Sequence, residues 1–364
     1  MGGDDVIAGT LPSGLQTGGS GSAVGRELQV GEVLGSYQLE CLLGEGSMGR
    51  VFQARHTRLG RQVALKVLRP AFARDGGFVQ RFFQEARTVN HINHEHIVEI
   101  FDFVEDAEAG HVYCVMELLR GQSLATLLRE EPPSLERIRR IMVQLCTALE
   151  AAHRVGVVHR DVKPDNLFLI ERAGQSDFVT VLDFGVAKVL TAEGTGGTLD
   201  GTIIGTPTYM SPEQAAGLPV DPRADIYAVG TVLYELLAGR PPFEASNFGQ
   251  LVVSIITESP PPLPAHLPSG EPLPPELARL TLRCLAKAPE ERPQQLADVL
   301  AALREEPEER RPTQPLPAHG VALARQRRRW AAAGGALALL TGGLALWPEA
   351  EQLPPPGAAE VPAP

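Results

Sequence analysis

The run Gly44-Glu45-Gly46-Ser47-Met48-Gly49-Arg50-Val51 constrains this chain more than any other feature. Glycines at that spacing let backbone N–H groups approach phosphate oxygens with no Cβ in the way. A dinucleotide-binding fold opens a helix straight after the third glycine and places an acid about twenty residues further on. Here the loop runs instead into strand-like Val51-Phe52-Gln53-Ala54, and at that distance stands Ala64-Leu65-Lys66. Both requirements of that fold fail. Lys66 lies in the apolar, strand-like run 63–68, where an unpaired ammonium is costly to bury. Glu85, on the helical run 78–89, is its natural anionic partner. Alone, Lys66 reads better as a surface lysine whose stem lies on apolar neighbours while its ammonium reaches water.

The 364 residues carry a formal net charge of −11, with 43% hydrophobic and 21% charged residues. That composition is globular. Its acidic balance excludes a sequence-independent nucleic-acid binder, which needs a basic surface to displace counterions, so no nucleic-acid partner is expected. Cys41, Cys114, Cys146 and Cys284 lie far apart with no C-x-x-C spacing, and read as buried thiols in a reducing compartment. The N-terminus lacks a basic leader followed by an apolar run, so no secretory signal is expected. Val6 stands where a myristoylation motif places Ser or Thr.

Residues 1–36 are rich in Gly, Ser and Thr with little apolar periodicity, and are expected to form a disordered leader. From 37 to 303 the pattern is globular. Strand-like runs at 63–68 and 112–116 come first and helical periodicity dominates afterwards, which predicts a small β-rich lobe followed by a larger helical one. Residues 304–329 form a linker crowded with Pro, Glu and Arg. The uncharged run 330–347 has tryptophan at both ends and spans about 26 Å as a helix, near the lower limit for a bilayer core. Arg325, Arg327, Arg328 and Arg329 precede it, with only acids beyond. This predicts a single-pass cell-membrane protein, its main body cytoplasmic and 348–364 a short extracytoplasmic tail. The competing reading is a buried Ala/Leu helix.

Further on come His159-Arg160-Asp161-Val162-Lys163-Pro164-Asp165-Asn166, then Asp183-Phe184-Gly185, then Gly205-Thr206-Pro207-Thr208-Tyr209-Met210-Ser211-Pro212-Glu213-Gln214. With the glycine loop and Lys66, these five ordered motifs over 37–303 resemble the protein kinases, and most closely the bacterial eukaryotic-like serine/threonine kinases. The resemblance implies an α+β, bilobal protein kinase fold that uses ATP and Mg²⁺ and acts on Ser/Thr of protein substrates. It implies that Gly44, Glu45, Gly46, Ser47, Met48, Gly49, Arg50 and Val51 cover the ATP phosphates. Lys66, held by Glu85, contacts the α and β phosphates, while Asn166 and Asp183 bind Mg²⁺. Asp161 orients the substrate hydroxyl and accepts its proton, Lys163 neutralises the γ-phosphate, and Thr206 holds both in place. The adenine site takes Leu43, Val51, Ala64, Phe168 and the gatekeeper Met116, with hinge hydrogen bonds at Glu117 and Leu119. Glu213 and Arg292 resemble the pair that ties the activation segment to the helical lobe, and Asp225 the acid that braces the catalytic loop.

Two positions depart from the common pattern. Ser211 replaces the usual alanine, a small-for-small change, and Met48 occupies the loop tip where many relatives carry an aromatic, still able to shield phosphates. A pseudokinase scaffold would show a gap at Lys66, Asp161, Asn166 or Asp183, and a small-molecule phosphotransferase would usually lack the Ser-Pro-Glu segment and its arginine; neither gap is present. Arg160 is expected to pair with a phosphate on the activation loop, where Thr191, Thr195, Thr198 and Thr202 are candidates and Thr198 and Thr202 are favoured. Gly334, Ala338 and Gly342 line one helical face with little bulk, the pattern of a membrane helix pair, so a homodimer is expected, against a composition merely rich in small residues.

Overall fold

The structure is a computed structural model that describes residues 27–46, 48–106, 109–184 and 207–304, without the side chains of Arg81, Gln84, Glu85, Ala86 and Thr88. Ser47, the candidate activation threonines, Thr206, the linker, the expected span 330–347 and the tail lie outside the described residues. Among the described residues no helix is long and apolar enough to cross a membrane.

The first lobe is one antiparallel sheet in the order β1-β2-β3-β4-β6-β5, from β1 (Val33–Leu34), β2 (Tyr37–Glu45), β3 (Gly49–His56), β4 (Gln62–Leu68), β5 (Ile100–Asp106) and β6 (His111–Met116). Flanked on both sides, β6 reads as an unbroken apolar run, and Val112, Tyr113, Cys114 and Val115 are all buried. Alternation along β4 sends Val63, Leu65 and Val67 to a core shared with Leu39, Phe52 and Val115. Leu68 joins the opposite core, with Cys114 and Phe78. That second core is closed by helix α2 (Gly76–Ile92), which follows a short α1 (Pro70–Ala73). Asp75 caps α2 by accepting from the Phe78 N–H, and Asn93 ends it in the left-handed conformation at φ 41°.

The helical lobe is organised by α4 (Leu135–Arg154), reached through β7 (Gly121–Ser123) and α3 (Leu124–Glu130). Ser134 caps α4, whose Ile138, Ile141, Met142, Leu145, Leu149 and Ala152 recur at helical spacing and are all fully buried. Beyond it a second sheet, β7-β8-β9, forms from β8 (Leu167–Arg172) and β9 (Gln175–Val181). The remaining helices are α5 (Pro212–Ala215), α6 (Arg223–Ala238), α7 (Phe248–Thr257), α8 (Pro275–Cys284) and α9 (Leu296–Leu303). Val89, Ile92 and Ile97 belong to this lobe's core, and the Val98 N–H donates to the Val181 carbonyl while the Val181 N–H donates to the His96 carbonyl. The base of α2 is thereby fastened to the strand that leads into the site.

Two expectations change. Part of the expected leader is folded: Leu28 is buried beside Phe52 and Val67, and β1 pairs with β2 through Val33–Gln38 and Leu34–Tyr37. All four cysteines are free thiols, but only Cys114, Cys146 and Cys284 are buried; Cys41 faces outward on β2.

Candidate active site

The catalytic loop 159–166 is held by buried polar groups. Asp225, on the first turn of α6, accepts from the His159 N–H, the Arg160 N–H and His153 Nε2, each at 2.8 Å. An isolated buried carboxylate is costly, and three donors offset that cost while fixing the backbone that receives them. Arg160 sits at φ 64°, a conformation that non-glycine residues rarely adopt. It persists because Asp225 holds its N–H and the Gln214 side chain donates to its carbonyl at 2.9 Å.

His159 links this loop to the next motif. Its Nε2 lies 3.1 Å from the Leu182 carbonyl and its Nδ1 accepts the Asp161 N–H at 3.2 Å, which assigns the neutral ring with its proton on Nε2. Burial pushes its pKa down, in keeping with a neutral ring. The ring also packs on Phe184 with centroids 4.4 Å apart. Asp183, beside Phe184, takes φ 43°, the second strained non-glycine residue at the site.

These supports bring the reactive groups together. Lys163 Nζ lies 3.0 Å from Asp161 Oδ2, and Asn166 Nδ2 donates to the Asp161 carbonyl at 2.8 Å and to Oδ2 at 3.2 Å. The Asn166 amide nitrogen is therefore turned to Asp161, and its oxygen is the other end available to a cation. From the first lobe, β4 delivers Lys66, whose Nζ contacts Asp183 Oδ1 at 2.5 Å. The expected Glu85 partner lies on α2, with its side chain outside the described set.

The wall above follows from strand register. Val51 pairs with both Gly44 and Lys66, and Ala64 pairs with Met116 at the end of β6. The Glu117 N–H donates to the Glu99 carbonyl at 3.0 Å, so its carbonyl is the hinge group left to meet a ligand, with Leu119 two residues on. Leu43 is exposed, and Phe168 lies on β8 opposite Ser123. A separate open depression of about 410 Å³, lined by Gly121, Leu169, Glu171 and Asp177, holds none of these groups.

Two local contacts shape the glycine loop. A Cβ on Gly49 would stand 2.1 Å from the Val67 carbonyl, so this glycine serves the close approach of β3 to β4; one on Gly44 would meet nothing within 4 Å, and one on Gly46 would lie 3.8 Å from the Gly49 carbonyl. Met48 packs against the cluster of Leu68, Phe78 and Phe82, an apolar anchor for the loop. Sequence reasoning missed His153, Gln214 and Arg69. No fixed spacing ties His153 to Asp225, 72 residues away.

Below the site, Arg292 meets Glu213 through two parallel contacts of 2.7 Å, buried, with further bonds to the Ala286, Arg223 and Lys287 carbonyls. This is the tie between the 211–213 segment and the helical lobe.

The protein kinase domain family matches residues 37–302. The chain belongs to that family. Serine/threonine-protein kinase pkn3 of Myxococcus xanthus is 42% identical over 278 residues, 76% of this chain and 50% of that protein. Serine/threonine-protein kinase PknB of Mycobacterium tuberculosis is 40% identical over 271 residues, 73% of this chain and 42% of its own length. The chain thus spans about half, or less, of the curated relatives it matches. Among solved structures, the M. tuberculosis PknI kinase domain aligns at TM-score 0.59 and 30% identity, covering 77% of this chain and 98% of that one. The relatives place the chain among the bacterial serine/threonine kinases.

Proposed function

We propose that this chain transfers the γ-phosphoryl group of ATP to serine and threonine hydroxyls of proteins. The observation that carries the reading is the convergence of Asp161, Lys163, Asn166, Asp183 and Lys66, from both lobes, on one cleft. The substrate hydroxyl sits against Asp161, whose carboxylate takes its proton as the oxygen bonds to phosphorus and the bridge to the β-phosphate breaks, releasing ADP. Lys163, 3.0 Å from Asp161, offsets the negative charge gathered there. Lys66 holds the α and β phosphates in this reading. Asn166 and Asp183 supply hard oxygen donors, the set that suits Mg²⁺ completed by water and phosphate. Bound there, the ion neutralises phosphate charge.

The test is phosphoryl transfer from labelled ATP to a protein substrate by the full chain and by Asp161→Asn, which keeps the shape and removes the base. Transfer by the wild type and its loss in the variant are expected; equal rates overturn the assignment of Asp161.

Three finer readings rest on the sequence. Thr198 and Thr202 receive phosphate from the kinase itself, and Arg160 pairs with it; mass spectrometry after incubation with Mg-ATP that finds both threonines bare refutes this. The 330–347 segment anchors the chain in the cell membrane with the kinase domain cytoplasmic, and Gly334, Ala338 and Gly342 pair two copies so that one modifies the other. Leucine at those three positions is expected to lower both self-association and activation-loop phosphate; no change in either overturns the pairing.

A further inference from the structure

The phosphate-covering loop is fastened by a residue outside every motif. Arg69 lies one position past the end of β4 and three past Lys66. Its N–H donates to the Met48 carbonyl at 2.8 Å. Its guanidinium reaches back over the loop, with Nη2 at 2.8 Å from Glu45 Oε1 and 3.2 Å from the Gly46 carbonyl, and Nε at 3.3 Å from that carbonyl. The other Glu45 oxygen faces Arg50 Nε at 3.7 Å, and Arg50 is itself held to the Leu28 carbonyl at 3.1 Å and to Glu27 at 3.5 Å. Among the described residues of the loop, Met48 packs into an apolar cluster, while a Cβ on Gly44 would meet nothing within 4 Å and one on Gly46 would meet the Gly49 carbonyl at 3.8 Å.

The direction of these bonds matters. In a planar trans peptide the N–H points opposite to the carbonyl. Tying the Met48 carbonyl to Arg69 turns the Gly49 N–H of the same unit away from β4; two guanidinium donors hold the Gly46 carbonyl, and the Gly46 N–H donates to the Gly49 carbonyl at 2.9 Å. A carbonyl rotated the other way would set its negative end against a phosphate oxygen. Because Lys66 and Arg69 leave the same strand, the loop is indexed to the lysine expected to contact those phosphates.

We propose that Arg69 is a positioning residue that holds the glycine-loop carbonyls away from the nucleotide, so that the loop presents amides to the β and γ phosphates. This rests on the ATP-dependent reading above. Arg69 touches no substrate atom and acts through the loop.

The test compares full-length wild type with Arg69→Ala, Arg69→Lys and Glu45→Gln. Two dissociation constants are measured: for a non-hydrolysable ATP analogue with Mg²⁺, and for adenosine, which lacks phosphates. Arg69→Ala is expected to weaken the analogue about tenfold, the scale of one hydrogen bond to a charged group, and to leave adenosine within about twofold. KM for ATP is expected to rise more than kcat falls. Arg69→Lys, which keeps the charge and the backbone donor, recovers about half of the loss on a logarithmic scale. Glu45→Gln leaves the apolar contacts in place and gives the same pattern at about threefold, which keeps the test decisive if Arg69→Ala fails to fold. Equal weakening of adenosine and analogue, or wild-type affinity for both, overturns the proposal. If the wild type binds neither nucleotide and transfers no phosphate, the ATP-dependent reading itself fails, a result distinct from either.

Discussion

The catalytic loop and the glycine loop are held by different physics. Around 159–166 the supports are buried: Asp225 and His159 are fully enclosed, and the strained Arg160 is held at both its N–H and its carbonyl. Around 44–50 the supports are ion pairs near solvent, with the Arg69 and Glu45 side chains 38% and 43% exposed. A group that accepts a proton must be correct to within a few tenths of an ångström, which favours over-determination. A cover must admit nucleotide and release product, which favours weak, local fastening.

The strongest way to break the comparison is to cut the buried anchor. Arg292 is wholly buried and Glu213 nearly so, at 0% and 7% side-chain exposure. Arg292→Ala strands that carboxylate, and a loss of about 3–5 kcal/mol is expected in urea unfolding. The double change Arg292→Met with Glu213→Leu is expected to recover part of it. A loss below about 1 kcal/mol for the single variant means the base of the site is not over-determined as described.

Removing a charge from the cleft itself comes next. Asp183→Ala deletes the carboxylate proposed to hold the metal and the described carboxylate contact of Lys66, so phosphoryl transfer is expected to fall about 100- to 1,000-fold with the unfolding midpoint little changed. Lys66→Ala is expected to match it. Near wild-type turnover in either folded variant refutes the roles given to that pair.

The catalytic loop also carries a pH signature. Burial lowers the His159 pKa below its ordinary 6.5, so as pH falls through 6.5 the unfolded chain binds a proton that the folded chain refuses. Stability attributable to His159 is therefore full above pH 6.5 and declines below it, with a limiting slope of about 1.4 kcal/mol per pH unit. His94 and His96 shift the same way, also through burial. The measurement is thus the difference in unfolding free energy between wild type and His159→Phe from pH 7.5 to 5. A flat difference contradicts the neutral, buried ring.

Legibility in the sequence followed the same division. The run 112–116 became β6 (His111–Met116) and 63–68 became β4 (Gln62–Leu68), because strands buried on both faces announce themselves by apolar runs, interrupted in β4 by Lys66. The helix expected over 78–89 extends to Gly76–Ile92, since its ends depend on Asp75 and Asn93, which apolar periodicity does not register. Residues 27–36 read as leader because one leucine at a time gives no period; Leu28 is buried by Phe52 and Val67, residues distant in sequence. Asp225 entered through family resemblance, while His153 and Arg69 did not, because their bonds span 72 and 23 residues with no rule of spacing.

The smallest expected effect sharpens the contrast most. If the glycine loop is fastened for geometry and not for stability, the Arg69–Glu45 pair must contribute almost nothing to folding while governing nucleotide affinity. Both side chains are over a third exposed, so solvent and salt screen their attraction. A double-mutant cycle in urea unfolding, with Arg69→Ala, Glu45→Gln and both together, is expected to give a coupling of about 0.2–1 kcal/mol at low salt, shrinking as salt rises. The same cycle on affinity for the non-hydrolysable ATP analogue is expected to show near-complete coupling, because either change releases the same carboxylate–guanidinium contact. A stability coupling near 3 kcal/mol places the glycine loop in the over-determined class with the catalytic loop, and the distinction between base and cover falls.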